Sequence, residues 1–403
     1  MRARDFIELQ HYLQALLKNR SNIELFFIYQ NPFPKQAQRK HTPELVSLTG
    51  DLSRPSIWAF FSQHLKKLIM QIEAIYQCVE NEFLAVNSLI KTQLSSDVPL
   101  VEKIAQYIVE SGGKRMRPLL VLLCTKALLA GKTEHTSTKE TLTDANFCKL
   151  AAIIEFLHTA TLLHDDVVDT SNMRRGRSTA NAKWGNAPSV LVGDFLYSRA
   201  FQMMVEIGSV PVMHVLSDAT NVIAEGEVFQ LMNCKNPDVS EAAYFEVIKN
   251  KTAMLFQAAS QSASILANAS AEESKALKIF GLELGLSFQL VDDMLDYMGD
   301  ADTMGKNIGD DLAEGKPTLP LIYAMQNGTQ EERELIRKSI RNGDTSHLED
   351  ICKAVIRSGA LAYTENAAKN CYDKACHSLE ALPNSEYKDA LLGLAKLAIY
   401  RNK

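Results

Sequence analysis

Six aspartates in two identical patterns carry the strongest chemical signal in this chain. Asp165-Asp166-Val167-Val168-Asp169 and Asp292-Asp293-Met294-Leu295-Asp296 both read D-D-x-x-D. Each ends an apolar stretch, Leu162-Leu163-His164 before the first and Phe288-Gln289-Leu290-Val291 before the second. Residues three and four apart share a helix face, so the spacing predicts that each trio of carboxylates points one way. Carboxylates held together repel unless a cation sits between them. Oxygen-only donors suit a hard cation such as Mg²⁺, which keeps waters and bridges to phosphate. Two such clusters facing each other would grip a diphosphate through several metal ions. A single acidic triplet is more often a solvated helix face. Two copies that both grow out of apolar sequence need a further reason, because buried charge is costly unless paired or metal-bound.

Basic residues supply that reason. Arg174-Arg175-Gly176 follows Asp169 after the polar Thr170-Ser171-Asn172, and Gly112-Gly113-Lys114-Arg115-Met116-Arg117-Pro118 lies upstream. Lys251-Thr252 falls between the clusters, and Gly305-Lys306-Asn307 and Gly315-Lys316-Pro317-Thr318 follow the second. Arginine offers a planar fork to phosphate oxygens and lysine a mobile point charge. Any one of these alone reads as a surface charge. Together with the acidic pair they predict two anionic ligands, one held through metal and one held directly by Arg and Lys.

Positioning these groups falls to helices. Apolar residues recur at spacing three and four over Leu100–Ser111, Arg117–Leu129, Asn146–Asp169, Ser189–Ile207, Val210–Asn233, Glu241–Ala267, Ala271–Met298, Leu319–Asn327 and Gln330–Asn342. Long alternating Val/Ile/Thr runs are missing, so no strand is predicted. Gly208 and Pro211 mark a turn between helices, and Pro118 fits a first helical turn. The expectation is an all-α fold, a large bundle with functional groups projecting inward from facing helices.

Taken in order, the motifs resemble those of the trans-polyprenyl diphosphate synthases, and among them the bacterial octaprenyl diphosphate synthases. The resemblance runs from about Met70 to the C-terminus, through G-G-K-R-x-R-P, H-D-D-x-x-D with R-R-G, K-T, F-Q-L-x-D-D-x-L-D and G-K-x-x-x-D-D-x-x-x-G-K-x-T-L-P. It extends to Ala180-Asn181-Ala182, Val190-Leu191-Val192-Gly193-Asp194-Phe195 and Ala224-Glu225-Gly226-Glu227. It implies the isoprenoid-synthase helical fold with a central cavity. It implies that Asp165 and Asp169, with Asp166 in support, bind Mg²⁺ on an allylic diphosphate. Asp292, assisted by Asp293 and Asp296, would bind a further Mg²⁺ from the opposite side, three ions in all. Arg174, Lys251, Thr252, Gln289 and Lys306 would complete the allylic site, with Lys316 a lesser candidate. Lys114, Arg117, His158 and Arg175 would hold isopentenyl diphosphate. His158 lies seven residues before Asp165, two turns along one helical face. Without the resemblance, it reads as a core histidine.

The chemistry so implied is repeated condensation. An allylic diphosphate such as farnesyl diphosphate ionises, the double bond of isopentenyl diphosphate attacks the cation, and the proton leaves with the released diphosphate. The expected product is a long all-trans chain, octaprenyl in length, for a quinone side chain, handed as a lipid to membrane enzymes. Chain length should depend on the wall below the first cluster. Ala160 and Thr161, five and four residues before Asp165, are small, and Leu157 and Ile154 lie deeper. Ala160 to Asp165 spans roughly 7–8 Å of helix. Small residues there either leave a tunnel open or allow close helix packing, and the resemblance favours the tunnel.

Two other classes compete. A non-catalytic partner subunit would show a damaged acidic cluster, whereas both are intact. A terpene cyclase or head-to-head synthase would lack the Gly112–Pro118 basic motif.

Composition narrows the setting. The chain has 403 residues, 46% hydrophobic and 23% charged, with a net charge of −5. Residues 1–69 carry ten Lys/Arg against five Asp/Glu, and the remainder 33 against 43. That head is too weakly basic, and too lacking in motifs, to predict nucleic-acid binding. Seven scattered cysteines without C-x-x-C predict reduced thiols and no zinc site. No uninterrupted apolar run approaches the length of a membrane span, and no signal peptide is evident, which points to the cytoplasm. Two units are expected: residues 1–69, an extension that is either accessory or upstream of a true start at Met70, and a catalytic domain over 70–403. The resemblance implies a homodimer.

Overall fold

A computed structural model describes residues 72–130, 144–298 and 309–399. The expectations for residues 1–69 and for Lys306 lie outside the described residues. In chain order the helices are α1 (Glu80–Gln93), α2 (Pro99–Glu110), α3 (Met116–Ala130), α4 (Asp144–Val168), α5 (Ala180–Trp184), α6 (Asn186–Ile207), α7 (Val210–Asn233) and α8 (Glu241–Ile248). Then follow α9 (Met254–Leu266), α10 (Ala271–Leu295), α11 (Asp310–Ala313), α12 (Leu319–Asn327), α13 (Gln330–Asn342), α14 (Leu348–Arg357), α15 (Ala360–Ser378) and α16 (Glu386–Ile399).

Helix α4 is the axis of the arrangement. It is apolar nearly all round, and such a helix must be enclosed. It packs most heavily on α6 and also against α1, α3 and α9. Among the described residues it is the one helix long and apolar enough to cross a membrane, yet 67% of its most apolar window is buried inside the fold. Among its polar residues are Glu155, His158, Asp165 and Asp166, which belong to the candidate site. Helix α10 is enclosed in the same way by α9 and α15. Phe156 on α4, Phe256 on α9 and Phe280 on α10 are fully buried and centre the main core. A smaller core over Leu312, Leu321, Ile336 and Ile351 ties α11 to α14.

The all-α expectation holds, and three helices begin and end where the periodicity did: Val210–Asn233, Leu319–Asn327 and Gln330–Asn342. Local chemistry fixes those ends. The Ser209 hydroxyl accepts from the Val212 backbone with Pro211 in the first turn, after Gly208 has closed α6 in the left-handed region. Thr329 and Glu332 form a reciprocal capping box for α13.

Two features differ from expectation, and both carry site residues. The first is a hairpin, β1 (Met173–Arg174) paired antiparallel with β2 (Arg177–Ser178). Its two-residue loop, Arg175-Gly176, has φ of 53° and 70°. Positive φ at both central residues is what a type I′ turn requires. Strands of two residues are too short to show alternation, so the sequence read only a polar segment. The second is a π-helical segment, Lys249–Ala253, between α8 and α9, where one continuous helix was expected. Such bulges occur often at functional sites.

Candidate active site

The π segment brings Lys251 and Thr252 between the two acidic patterns. It fits because two neighbouring helices offer glycine. A Cβ on Gly226 of α7 would lie 2.9 Å from Asn250 Cβ and 3.0 Å from the Lys251 nitrogen, and one on Gly285 of α10 would lie 2.5 Å from Ala253 Cα. Lys251 Nζ sits 3.7 Å from Asp165 Oδ2. The adjacent Thr252 hydroxyl donates to Gln289 Oε1 at 2.9 Å, and Gln289 Nε2 donates to Asp293 Oδ1 at 2.6 Å. One unbroken path of neighbours therefore joins the first acidic cluster to the second.

Within each cluster the carboxylates do not act alike. Successive helix residues lie on different faces, so a shared direction for all three was too simple. Asp165 and Asp169 are partly exposed, at 18% and 17% of the side chain, whereas Asp166 has no accessible surface. Asp166 Oδ1 accepts from Nε and Nη2 of Arg174, each at 2.8 Å, and its Oδ2 is buried with no partner. Burial raises its proton affinity, and Arg174 works against that shift. In the second cluster Asp292 is the partly exposed member. Asp293 is buried and accepts from the Tyr244 hydroxyl and Gln289, both at 2.6 Å. Burial, then the charge of Asp311, pushes Asp293 up to about 8. Asp296 is buried and accepts from the Asp311 backbone at 3.3 Å.

Lysines lie against the first cluster. Lys251 Nζ is 2.6 Å from Glu227 Oε2, and Lys316 Nζ is 3.2 Å from Asp169 Oδ2 and also pairs with Glu314. Burial disfavours charge on both lysines, but the surrounding carboxylates outweigh it and raise both pKa values.

A second, basic pocket lies where the loop 112–115, the start of α3, the middle of α4 and the hairpin turn meet. Arg117 Nη1 is 3.2 Å from His158 Nε2. Guanidinium has no acceptor, so the imidazole nitrogen must accept, and its proton sits on Nδ1. Burial, then the charges of Arg117, Arg175 and Arg174, holds His158 well below its ordinary pKa, hence neutral. Arg117 also stacks over Phe256, 4.2 Å from the ring centroid. Arg175 donates to the Gly112 carbonyl, and a Cβ on Gly113 would stand 2.6 Å from Arg175 Nη1. Lys114 is exposed in the same loop, where its carbonyl accepts from Tyr76. The hairpin is tied to α2 by the Tyr107 hydroxyl, which donates to the Ser178 carbonyl at 2.7 Å, and by Arg177, which donates to the Glu110 carbonyl at 3.3 Å. It thereby presents Arg174 to the acidic cluster and Arg175 to the basic pocket.

Lys114, Arg117, His158 and Arg175 thus share one region, Lys251, Thr252 and Gln289 line the path between the clusters, and Arg174 pairs with Asp166 in the first. Of the three residues expected to set chain length, Ala160 and Leu157 are buried, while Thr161 is partly exposed and donates to the His158 carbonyl at 2.8 Å. Sequence reading gave no site role to Glu155 or Glu314, and quoted Glu227 only within a matched string. Glu155 Oε1 is 3.8 Å from Arg115 Nε, and burial raises its pKa against the charges of Arg115, Arg117 and Arg175. Its place one turn before His158, on a strongly apolar helix, was the available signal.

Among the described residues no three His, Cys, Asp or Glu side chains gather as a ready-made metal cage. Mg²⁺ is commonly held by one or two carboxylates plus substrate phosphates. Asp165, Asp169 and Asp292 are the partly exposed carboxylates that fit such a role.

The helical fold thus sets two acidic clusters beside an arginine-rich region, the layout of a helical prenyl-transferring enzyme class. Residues 98–357 match the Polyprenyl synthetase family, and the chain belongs to that family. It is 49% identical over 335 residues to the octaprenyl diphosphate synthase of Escherichia coli K12, covering 83% of this chain and all of the relative. It is 48% identical over 323 residues to the geranyl-diphosphate-specific all-trans-nonaprenyl-diphosphate synthase of Rhodobacter capsulatus, covering 80% of this chain and 96% of that one. A polyprenyl synthase from Caulobacter crescentus, solved with calcium and isoprenyl diphosphate, superposes with a TM-score of 0.76 at 42% identity, over 82% of this chain and 98% of that one.

Proposed function

We propose that this chain is a long-chain all-trans polyprenyl diphosphate synthase, which condenses isopentenyl diphosphate repeatedly onto an allylic diphosphate. The observation that carries the reading is the path Asp165, Lys251, Thr252, Gln289, Asp293, which sets two acidic clusters on one site beside the pocket of Arg117, His158 and Arg175. Relatives at 49% and 48% identity are named for octaprenyl and nonaprenyl products. The specific length proposed is octaprenyl, from a farnesyl diphosphate primer.

Mg²⁺, bound by Asp165, Asp169 and Asp292, would neutralise charge on the allylic diphosphate. The calcium and isoprenyl diphosphate in the Caulobacter structure support a divalent cation in this role. Lys251 and Arg174 stabilise the diphosphate as it leaves with the C–O electron pair. Arg117, Arg175 and Lys114 hold isopentenyl diphosphate so that its double bond meets the allylic carbon. A neutral His158 donates from Nδ1 and takes no charge of its own into that cationic pocket. The apolar walls of α4, α9 and α10 keep water from the allylic cation.

The homodimer is supported by an apolar surface on α6 and α7, where Leu191, Val205, Val228 and Met232 are all more than half exposed. Seven cysteines outside any disulfide support a cytoplasmic setting.

The test is incubation with farnesyl diphosphate, isopentenyl diphosphate and Mg²⁺, followed by chromatography of the products. Elongated diphosphates support the reading, and a released hydrocarbon or no turnover would overturn it. Ala160→Tyr in the same assay locates the tunnel. A shorter product places Ala160 on its wall, and an unchanged product in a destabilised enzyme places it in packed core, where overfilling costs about 1–3 kcal/mol.

A further inference from the structure

Two lysine–glutamate pairs flank the first acidic cluster in the same manner. Lys251 Nζ is 2.6 Å from Glu227 Oε2 and 3.7 Å from Asp165 Oδ2. Lys316 Nζ pairs closely with Glu314 Oε2 and lies 3.2 Å from Asp169 Oδ2. In both, the glutamate is the nearer partner and the aspartate the looser one. Both lysines are largely enclosed, with 19% and 16% of the side chain exposed. The pairs arise from unrelated local structure. Lys251 rides the π segment against α7, which carries Glu227. Glu314 and Lys316 flank Gly315, whose φ of 73° turns the chain between them.

The asymmetry has a consequence for loading. A lysine held only by Asp165 or Asp169 would compete with an incoming cation for that carboxylate. A lysine anchored by its own glutamate can give up the aspartate without being released. Its ammonium carries three donors, so one can stay on the glutamate while others meet phosphate oxygens.

Resting on the function proposed above, we propose that Glu227 and Glu314 are positioning residues for diphosphate capture. Each anchors one lysine beside the acidic cluster, so that Asp165 and Asp169 exchange a lysine for a metal ion while the ammonium stays aimed at the allylic diphosphate. No bond is made or broken by either glutamate.

The experiment uses full-length Glu227→Gln and Glu314→Gln and the double variants Glu227→Gln/Lys251→Met and Glu314→Gln/Lys316→Met. Mn²⁺ binding to the substrate-free proteins is titrated by its paramagnetic signal, and KM is measured for each substrate. Without its glutamate, a lysine falls onto the aspartate. Mn²⁺ affinity should then drop roughly tenfold, the scale of one charge-assisted hydrogen bond. KM for the allylic substrate should rise by a similar factor, with that for isopentenyl diphosphate unchanged. Each double variant, which restores charge balance, should regain Mn²⁺ affinity though not the allylic KM. A purely structural role would not give that rescue. Unaltered Mn²⁺ affinity in the single variants, or a loss that the double variants do not restore, would overturn the proposal. A wild-type enzyme that binds Mn²⁺ but does not elongate would instead overturn the function on which it rests.

Discussion

In the first acidic cluster the buried aspartate is held by a cation, Arg174 against Asp166; in the second it is held by neutral donors, Tyr244 and Gln289 against Asp293. The two strings are the same D-D-x-x-D, and both leave the first aspartate partly exposed and bury the next. They diverge at the third position. Asp169 stays partly exposed beside Lys316, while Asp296 is buried against the Asp311 backbone. The first cluster thus leaves two carboxylates partly exposed and the second leaves one. The first is also already balanced by Lys251, Arg174 and Lys316. In the second, burial and then the charge of Asp311 push Asp293 far toward its protonated form. A shared string fixes which side chain faces inward. The elements packed around it fix what the charge meets.

The largest effect should come from the exposed members. Asp165→Ala and Asp292→Ala should each abolish most turnover, by several kcal/mol of barrier, on the order of a thousandfold. Melting temperature should change little, since both side chains are partly exposed. Near-normal kcat at saturating Mg²⁺ for either variant would break the idea that both clusters act on one diphosphate.

The buried members should separate the clusters by stability. Asp166→Asn removes the charge that Arg174 answers and should cost about 1–3 kcal/mol. The figure is below that of a fully buried pair, because Arg174 is 22% exposed. Asp293→Asn keeps neutral partners and should cost less than that at neutral pH. Thermal melts of the two variants without metal give the ranking, and the reverse order would show that the cation on Asp166 is not the relevant difference.

The architecture was legible where the signal was long. Helices α7, α12 and α13 end at residues that periodicity and capping chemistry marked in advance. The partition within each acidic string was open to the same reasoning, since one residue step turns a helix by 100°, but the motif was read as a unit. The π segment was not legible, because one inserted residue leaves the apolar spacing of 241–267 nearly intact. Its trace lay elsewhere, in Gly226 and Gly285 on the helices it touches. The hairpin was hidden by strands of two residues each. Glu155 was given no role because a lone glutamate on a helix reads as surface, Glu314 because it falls in a turn, and Glu227 was quoted only within the Ala224-Glu225-Gly226-Glu227 string. Only the cations gathered around each one distinguish it.

The smallest and most specific effect concerns pH. Asp293 in the folded protein is raised from 3.8 to about 8, first by burial and then by the charge of Asp311. Between those values the folded state keeps a proton that the unfolded chain has lost. Stability therefore falls as pH rises across that window, and the contribution is gone once pH has passed through about 8. Asp166, Glu155, Glu227 and Glu314 are also raised, so they give slopes of the same sign. Those four lie beside arginine or lysine, whereas Asp293 accepts from the neutral Tyr244 and Gln289. Asp293→Asn should consequently flatten the loss of melting temperature between about pH 5 and 9 in metal-free buffer, while Asp166→Asn should flatten it less. Parallel curves for wild type and Asp293→Asn would show that the second cluster is as well balanced as the first, and the contrast between cationic and neutral partners would then have no energetic consequence.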